Sequence, residues 1–167
     1  VPSVAITLVQ AIIKGEGMED VIRDSTMIGI AAIQPVISDR TTVKRRALAP
    51  AYERWRRIAL SSAKQCGTAR LPAIFEPVEF KEWLSTPLQP DSYLLIEPGA
   101  MQGHVTTVHQ LAMAAAPSSA LLLVGPEGGW TEPERDAAIG AGATPLSLGP
   151  LTLRANAVAL AAGAALI

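Results

Sequence analysis

The chain has 167 residues, 49% of them hydrophobic and 17% charged, with a net charge of −1. This balance describes one domain able to bury a core and excludes a disordered or low-complexity chain. The longest helix-like apolar stretch, 155–167, is 13 residues and too short to span a bilayer; with one cysteine, Cys66, and no export signal in view, a cytoplasmic protein with no membrane partner is expected.

In chain order, 4–9 is β-branched and apolar and reads as a strand. Lys14-Gly15-Glu16-Gly17 is a turn, 18–27 has helical spacing, and Gly29 closes that helix. A second strand follows at 31–37. An amphipathic helix spans 45–65, with Leu48, Tyr52, Trp55, Ala59 and Ala63 as its inner stripe. The stretch 71–90 is mostly connection, with a short helix at 80–84. A strand at 93–96, a helix at 105–115 and a strand at 121–124 come next. The helix after the glycine-rich loop runs to 141, a short strand occupies 146–148, and an alanine-rich helix covers 153–166. Short continuous apolar strands alternating with helices mark an α/β fold, a parallel sheet with helices on both faces. Ligands in such sheets sit beyond the carboxyl ends of strands, so site residues should cluster after Ile96, Val124 and Leu148.

Charge is distributed unevenly. Between Arg40 and Arg70 lie nine of the fourteen basic residues, Arg40, Lys44, Arg45, Arg46, Arg54, Arg56, Arg57, Lys64 and Arg70, against one acid, Glu53. Such a block suits a polyanion, because each neutralised phosphate releases a counterion. It is equally a solvated helix face.

Two loops carry chemistry. In Gly125-Pro126-Glu127-Gly128-Gly129-Trp130 an apolar strand stops, and Thr131-Glu132-Pro133-Glu134 has the spacing of a capping box. The loop matches neither a dinucleotide fingerprint nor a Walker loop. Glu127, with Glu132 and Glu134 behind it, would repel a pyrophosphate, whereas a phosphate-free ligand with a cationic centre fits. A tight strand-to-helix turn explains the same residues. The second loop is Leu148-Gly149-Pro150-Leu151-Thr152-Leu153-Arg154, where Arg154 and Asn156 stand at the mouth of an apolar helix. An arginine at a helix start opposes the dipole, which favours a functional role. Glu97-Pro98-Gly99 follows a strand, so Glu97 either faces the ligand or belongs to a turn. His104 and His109 have no cysteine or acid at ligand spacing, and no metal is expected. Cys66 lacks a nearby histidine base.

Taken together, these segments resemble the RsmE family, the SPOUT-superfamily methyltransferases that make N3-methyluridine in 16S ribosomal RNA. The residues that carry the resemblance are the 4–11 strand with Lys14-Gly15, Met18-Glu19, Gly29, Pro35, Ser38 and Arg40, Arg54-Trp55, Ala59, Gln65-Cys66 and Pro72. Most specific are Gly125 to Gly129 and Leu148-Gly149-Pro150 with Leu153-Arg154. The resemblance covers nearly all of 1–167 as one catalytic domain, without the family's N-terminal PUA-like barrel. It implies a C-terminal trefoil knot, a homodimer, and S-adenosylmethionine held by Ile96, Glu97, Pro98, Val124, Gly125, Pro126, Glu127, Gly128, Gly129, Leu148, Gly149, Leu153 and Arg154. Ribosomal RNA of the small subunit would lie along Arg40, Lys44, Arg45, Arg46, Arg54 and Arg57. Arg154, with Asn156 beside it, is the expected catalytic group, stabilising charge on the uridine base. The chain departs from the family in four places. Asn156 replaces an acid, Asp24 a lysine, and Gly17 an arginine, while Met27-Ile28-Gly29 stands for Glu-Leu-Gly. Asparagine at that mouth also suits a ribose 2'-O-methyltransferase of tRNA or rRNA. A third reading is a catalytically weak RNA-binding or assembly protein, and a nucleotide-phosphate binder is a distant fourth.

Overall fold

The computed structural model describes residues 4–101, 103–113 and 116–167. Strand β1 (Ala5–Ala11) leads into α1 (Gly17–Ile28), β2 (Ala32–Ile37), a 3-10 turn (Arg45–Ala47) and α2 (Leu48–Cys66). Short pieces follow: β3 (Ala73–Ile74), β4 (Val78–Glu79) and α3 (Phe80–Trp83). The second half is β5 (Ser92–Leu95), β6 (Thr106–Thr107), α4 (Val108–Ala112), β7 (Ser119–Val124), α5 (Glu132–Gly140), β8 (Thr144–Ser147) and α6 (Ala155–Leu166).

Every strand pairing is parallel, in the order β3-β2-β1-β7-β5-β8-β6, with β4 also on β2. The central strands β1 and β7 run in register from Ala5 opposite Ser119 to Gln10 opposite Val124. Alternate residues of one strand serve opposite faces. Leu122 and Val124 join the core under α1, α2 and α6 with Ile6, Leu8, Ile22, Trp55 and Ala159. Leu121 and Leu123 join the other, with Val9, Phe80, Trp130 and Ala138 beneath α3 and α5. Both faces are therefore covered, which is why the strands are continuously apolar.

The expected elements are present with shifted ends. Helix α1 ends at Gly29, whose φ of 87° places it in the left-handed region while its N–H is donated to Ser25 and Thr26. The inner stripe of α2 buries Leu48, Trp55, Ala59 and Ala63 and adds Ser62, whereas Tyr52 is half-buried and donates its hydroxyl to the Ile74 carbonyl at 3.0 Å. The stretch 71–90 has the expected short helix, at Phe80–Trp83, and before it two strands of two residues each that were not expected. These strands exist through pairing with β2, which no local pattern announces. The helix expected at 105–115 is shorter, because Thr106 and Thr107 pair with β8 and Thr107 then caps α4 with Gln110; residues 114 and 115 lie outside the described part. The last helix starts at Ala155, not 153. Among the described residues no helix is long and apolar enough to cross a membrane.

Candidate functional site

A cavity of about 240 Å³ opens at the carboxyl ends of β5, β7 and β8. Its walls are residues 95–98 after β5, residues 124–130 after β7, and Leu148 with residues 151–153 after β8. Ala155 and Val158 of α6 close one side; Arg40 and Arg135 stand on the others. The three loops expected to gather do so because parallel strands place all their carboxyl ends on one edge.

The glycine loop is fixed from several directions. Thr131 caps α5: its hydroxyl accepts from Glu134 N–H, and the Glu134 carboxylate accepts from Thr131 N–H at 2.9 Å. Glu134 is 2% exposed and also accepts from Asp39 N–H at 2.8 Å, tying the loop after β2 to the start of α5. Gly129 has φ 68° and donates its N–H to the Pro126 carbonyl at 2.8 Å. A Cβ at Gly125 would lie 3.2 Å from the indole Nε1 of Trp130, so a side chain there would require the ring to shift. Glu127 accepts from Lys14 N–H at 3.0 Å, pinning the loop to the β1–α1 turn. The acid that argued against phosphate thus has a structural partner and also lines the cavity. Trp130, 4% exposed, lines it too, and its Nε1 has no hydrogen-bond partner among the described residues.

The second loop is looser. Ser147 and Gly149 exchange hydrogen bonds at 3.2 and 3.4 Å, and Gly149 has φ 142°. Leu151 is 77% and Leu153 41% exposed, although both line the cavity. Of the residues expected to touch a cofactor, Ile96, Glu97, Pro98, Val124, Gly125, Pro126, Glu127, Gly128, Gly129, Leu148 and Leu153 line the cavity, and Gly149 and Arg154 do not. Arg154 is exposed at the N-cap of α6, flanked by the lining residues Leu153 and Ala155. Asn156 turns away from the side of the lining residue Ala155, its Nδ2 3.4 Å from Asp20 Oδ2 of α1, because one step along a helix rotates a side chain by about 100°. Asp20 is also held by Arg23 at 2.6 Å, and burial followed by repulsion from Asp20 pushes the Asp24 carboxyl above its ordinary range.

The basic block divides as well. Arg54 forms a two-pronged pair with Glu19 at 2.8 and 2.9 Å, Arg45 pairs with Glu79, and Arg56 reaches Glu53 at 3.5 Å. Arg54 therefore ties α2 to α1, and Arg45 ties the 3-10 turn before α2 to β4. Lys44, Arg46 and Arg57 make no ion pair among the described residues and face solvent. Arg40 leaves the group altogether, since it lines the cavity and donates to the Gly128 carbonyl. Sequence reasoning also missed Trp130, Arg135 and Leu151 as lining residues. Leu151 carried the only signal, an apolar side chain in a Gly-Pro turn. No three His, Cys, Asp or Glu side chains gather as a metal site among the described residues.

A family model described as RNA methyltransferase domain matches residues 2–167. The chain belongs to the RNA methyltransferase domain family. Ribosomal RNA small subunit methyltransferase E of Synechocystis is 34% identical over 150 residues, covering 90% of this chain and 48% of that relative. A methyltransferase of Legionella pneumophila, solved with its bound cofactor SAM, superposes with a TM-score of 0.87 at 32% identity, covering 98% of this chain and 66% of that one. Ribosomal RNA small subunit methyltransferase E of Neisseria gonorrhoeae, bound to S-adenosyl methionine, gives 0.81 and 33%, covering 97% and 65%. This RNA methyltransferase domain thus spans about half to two thirds of the length of the proteins it resembles. The resemblance to the RsmE family read from the glycine loop and the Leu148 to Arg154 segment holds.

Proposed function

We propose that this chain is the catalytic part of an S-adenosylmethionine-dependent methyltransferase acting on a uridine N3 of 16S ribosomal RNA. The observation that carries the proposal is the cavity itself: three loops meet at the carboxyl ends of β5, β7 and β8, and Gly125, Gly128 and Gly129 of the loop after β7 expose backbone toward it. The residues fit such a donor. Glu97 and Glu127 line a partly apolar cavity suited to a cation. The Trp130 Nε1–H is a buried donor awaiting an acceptor. The relatives from Legionella and Neisseria, both with this cofactor, support the same ligand.

Residues 124–130 and Leu148 would hold the donor, with Leu151 and Leu153 excluding water above it. When bound, S-adenosylmethionine supplies an electrophilic methyl group on its sulfonium. Uridine N3 must shed its imide proton to attack, and charge then develops on the base. Arg154, exposed beside two lining residues, would meet that base at the cavity's edge and stabilise the charge. Asn156 faces Asp20 on α1, so it supports Arg154 only through the position of the helix end. The ribose reading rested on Asn156 at the reacting centre and loses support from that orientation.

The reading extends to a homodimer and a knotted C-terminal region. Exposed Met27, Met113 and Leu151 near the packed α1, α4 and α6 support the first. The return of α6 across β7 and β1 after β8 supports the second. A cytoplasmic setting follows from the substrate. The test is calorimetry with S-adenosylmethionine, followed by mapping of the methylated atom on rRNA from a deletion strain complemented with this chain. Methylation at uridine N3 is expected. No donor binding, or a methylated ribose, overturns the proposal.

A further inference from the structure

Arg40 was grouped by sequence with a phosphate-binding block, yet it sits on the glycine loop. The placement is built. Ser38 and Thr41 close a turn after β2, with Ser38 N–H donating to Thr41 Oγ1 and Thr41 N–H to the Ser38 carbonyl, both at 3.0 Å. Asp39 N–H donates to the buried Glu134, and the Asp39 carboxylate is bonded to Lys81 Nζ at 3.1 Å and Thr131 Oγ1 at 3.3 Å. The acid next in sequence to Arg40 is therefore engaged elsewhere. The Arg40 stem lies on Gly128, where a Cβ would come within 3.2 Å of its Cδ, and its Nη1 donates to the Gly128 carbonyl.

A guanidinium carries five donors, and this one makes a single hydrogen bond and no ion pair among the described residues while remaining exposed. Of the nine basic residues between Arg40 and Arg70, it alone lines the cavity. We propose that Arg40 is a positioning residue that joins the RNA to the methyl donor: one N–H holds the Gly128 carbonyl, and the remaining donors take a phosphate of the RNA strand beside the target nucleotide. This rests on the methyltransferase reading. A phosphate bound there tightens the guanidinium against the loop, so RNA and donor favour each other's binding, and the coupling is reciprocal.

The test compares the wild-type chain with Arg40→Met, which keeps the stem and removes the donors, and with Arg40→Lys, which keeps the charge without the fork. S-adenosylmethionine binding is measured by calorimetry, and binding of a labelled small-subunit rRNA hairpin by anisotropy over a salt series, with and without the donor. Thermal unfolding checks that the variants fold. For Arg40→Met the expected results are about tenfold weaker donor binding, a salt slope shallower by about 1, and loss of the tightening of RNA by the donor. Arg40→Lys should recover the salt slope and not the donor affinity. Unchanged donor affinity in Arg40→Met overturns the inference, as does an unchanged salt slope, because the coupling requires both contacts. A wild-type chain that binds no S-adenosylmethionine overturns the methyltransferase reading instead, and this inference with it.

Discussion

The two loops that face each other across the cavity are built in opposite ways. The Gly125 to Gly129 loop is held by Lys14, Arg40 and the Thr131–Glu134 cap, contacts from three separate parts of the chain. The loop from Gly149 to Arg154 has the short Ser147–Gly149 exchange and then exposed Leu151 and Leu153. The first loop has lost its conformational entropy during folding, while the second loses more of its own when a ligand arrives. A site of this kind pairs a preformed wall with an adaptable one. The rigid side carries the donor-facing glycines, and the looser side carries the group that meets the substrate.

Disabling the looser loop should remove chemistry and leave the fold. Arg154→Ala is expected to lower the methyl-transfer rate by about 10²-fold, with unfolding free energy within about 0.5 kcal/mol of wild type because the side chain is exposed. Single-turnover rates and urea unfolding check the pair of outcomes, and a large stability loss would break the contrast. Disabling the rigid loop should do the reverse in emphasis. Glu134→Ala removes the side-chain half of the capping box, leaving Thr131 N–H and Asp39 N–H without their acceptor, and should cost about 2–3 kcal/mol in urea unfolding. Gly125→Ala forces a Cβ against Trp130 and should cost about 1–2 kcal/mol while weakening the donor in calorimetry.

The smallest expected effect lies outside both loops. The Asp24 carboxyl is held above its ordinary value, so the folded chain binds this proton more tightly than the unfolded one. Stability from this group is present below the ordinary carboxylate range and declines as pH rises through the raised value. Asp24→Asn should therefore raise the melting temperature slightly at neutral pH and show no gain at acid pH, where Asp24 is protonated in both states. A gain that persists in acid would locate the effect elsewhere.

Legibility followed distance along the chain. The Thr131–Glu134 cap and the Gly29 helix end were readable because their partners lie within a few residues. The loops after Ile96, Val124 and Leu148 could be placed together because parallel sheets share one functional edge. Asn156 could not be aimed from sequence, since its partner Asp20 lies on another helix. The strands at Ala73–Ile74 and Val78–Glu79 were hidden because two residues have no period to detect.

By itself, then, the sequence determined the alternation of apolar strands and helices, the capped crossing after the glycine loop and the edge where a ligand sits, all consequences of local periodicity and turn chemistry. Only the tertiary structure decided which cations form ion pairs among the described residues, that Arg40 lies on Gly128, and that Asn156 turns from the cavity. Those choices depend on contacts between residues far apart in the chain, where packing and pairing select among partners that the local pattern leaves equal.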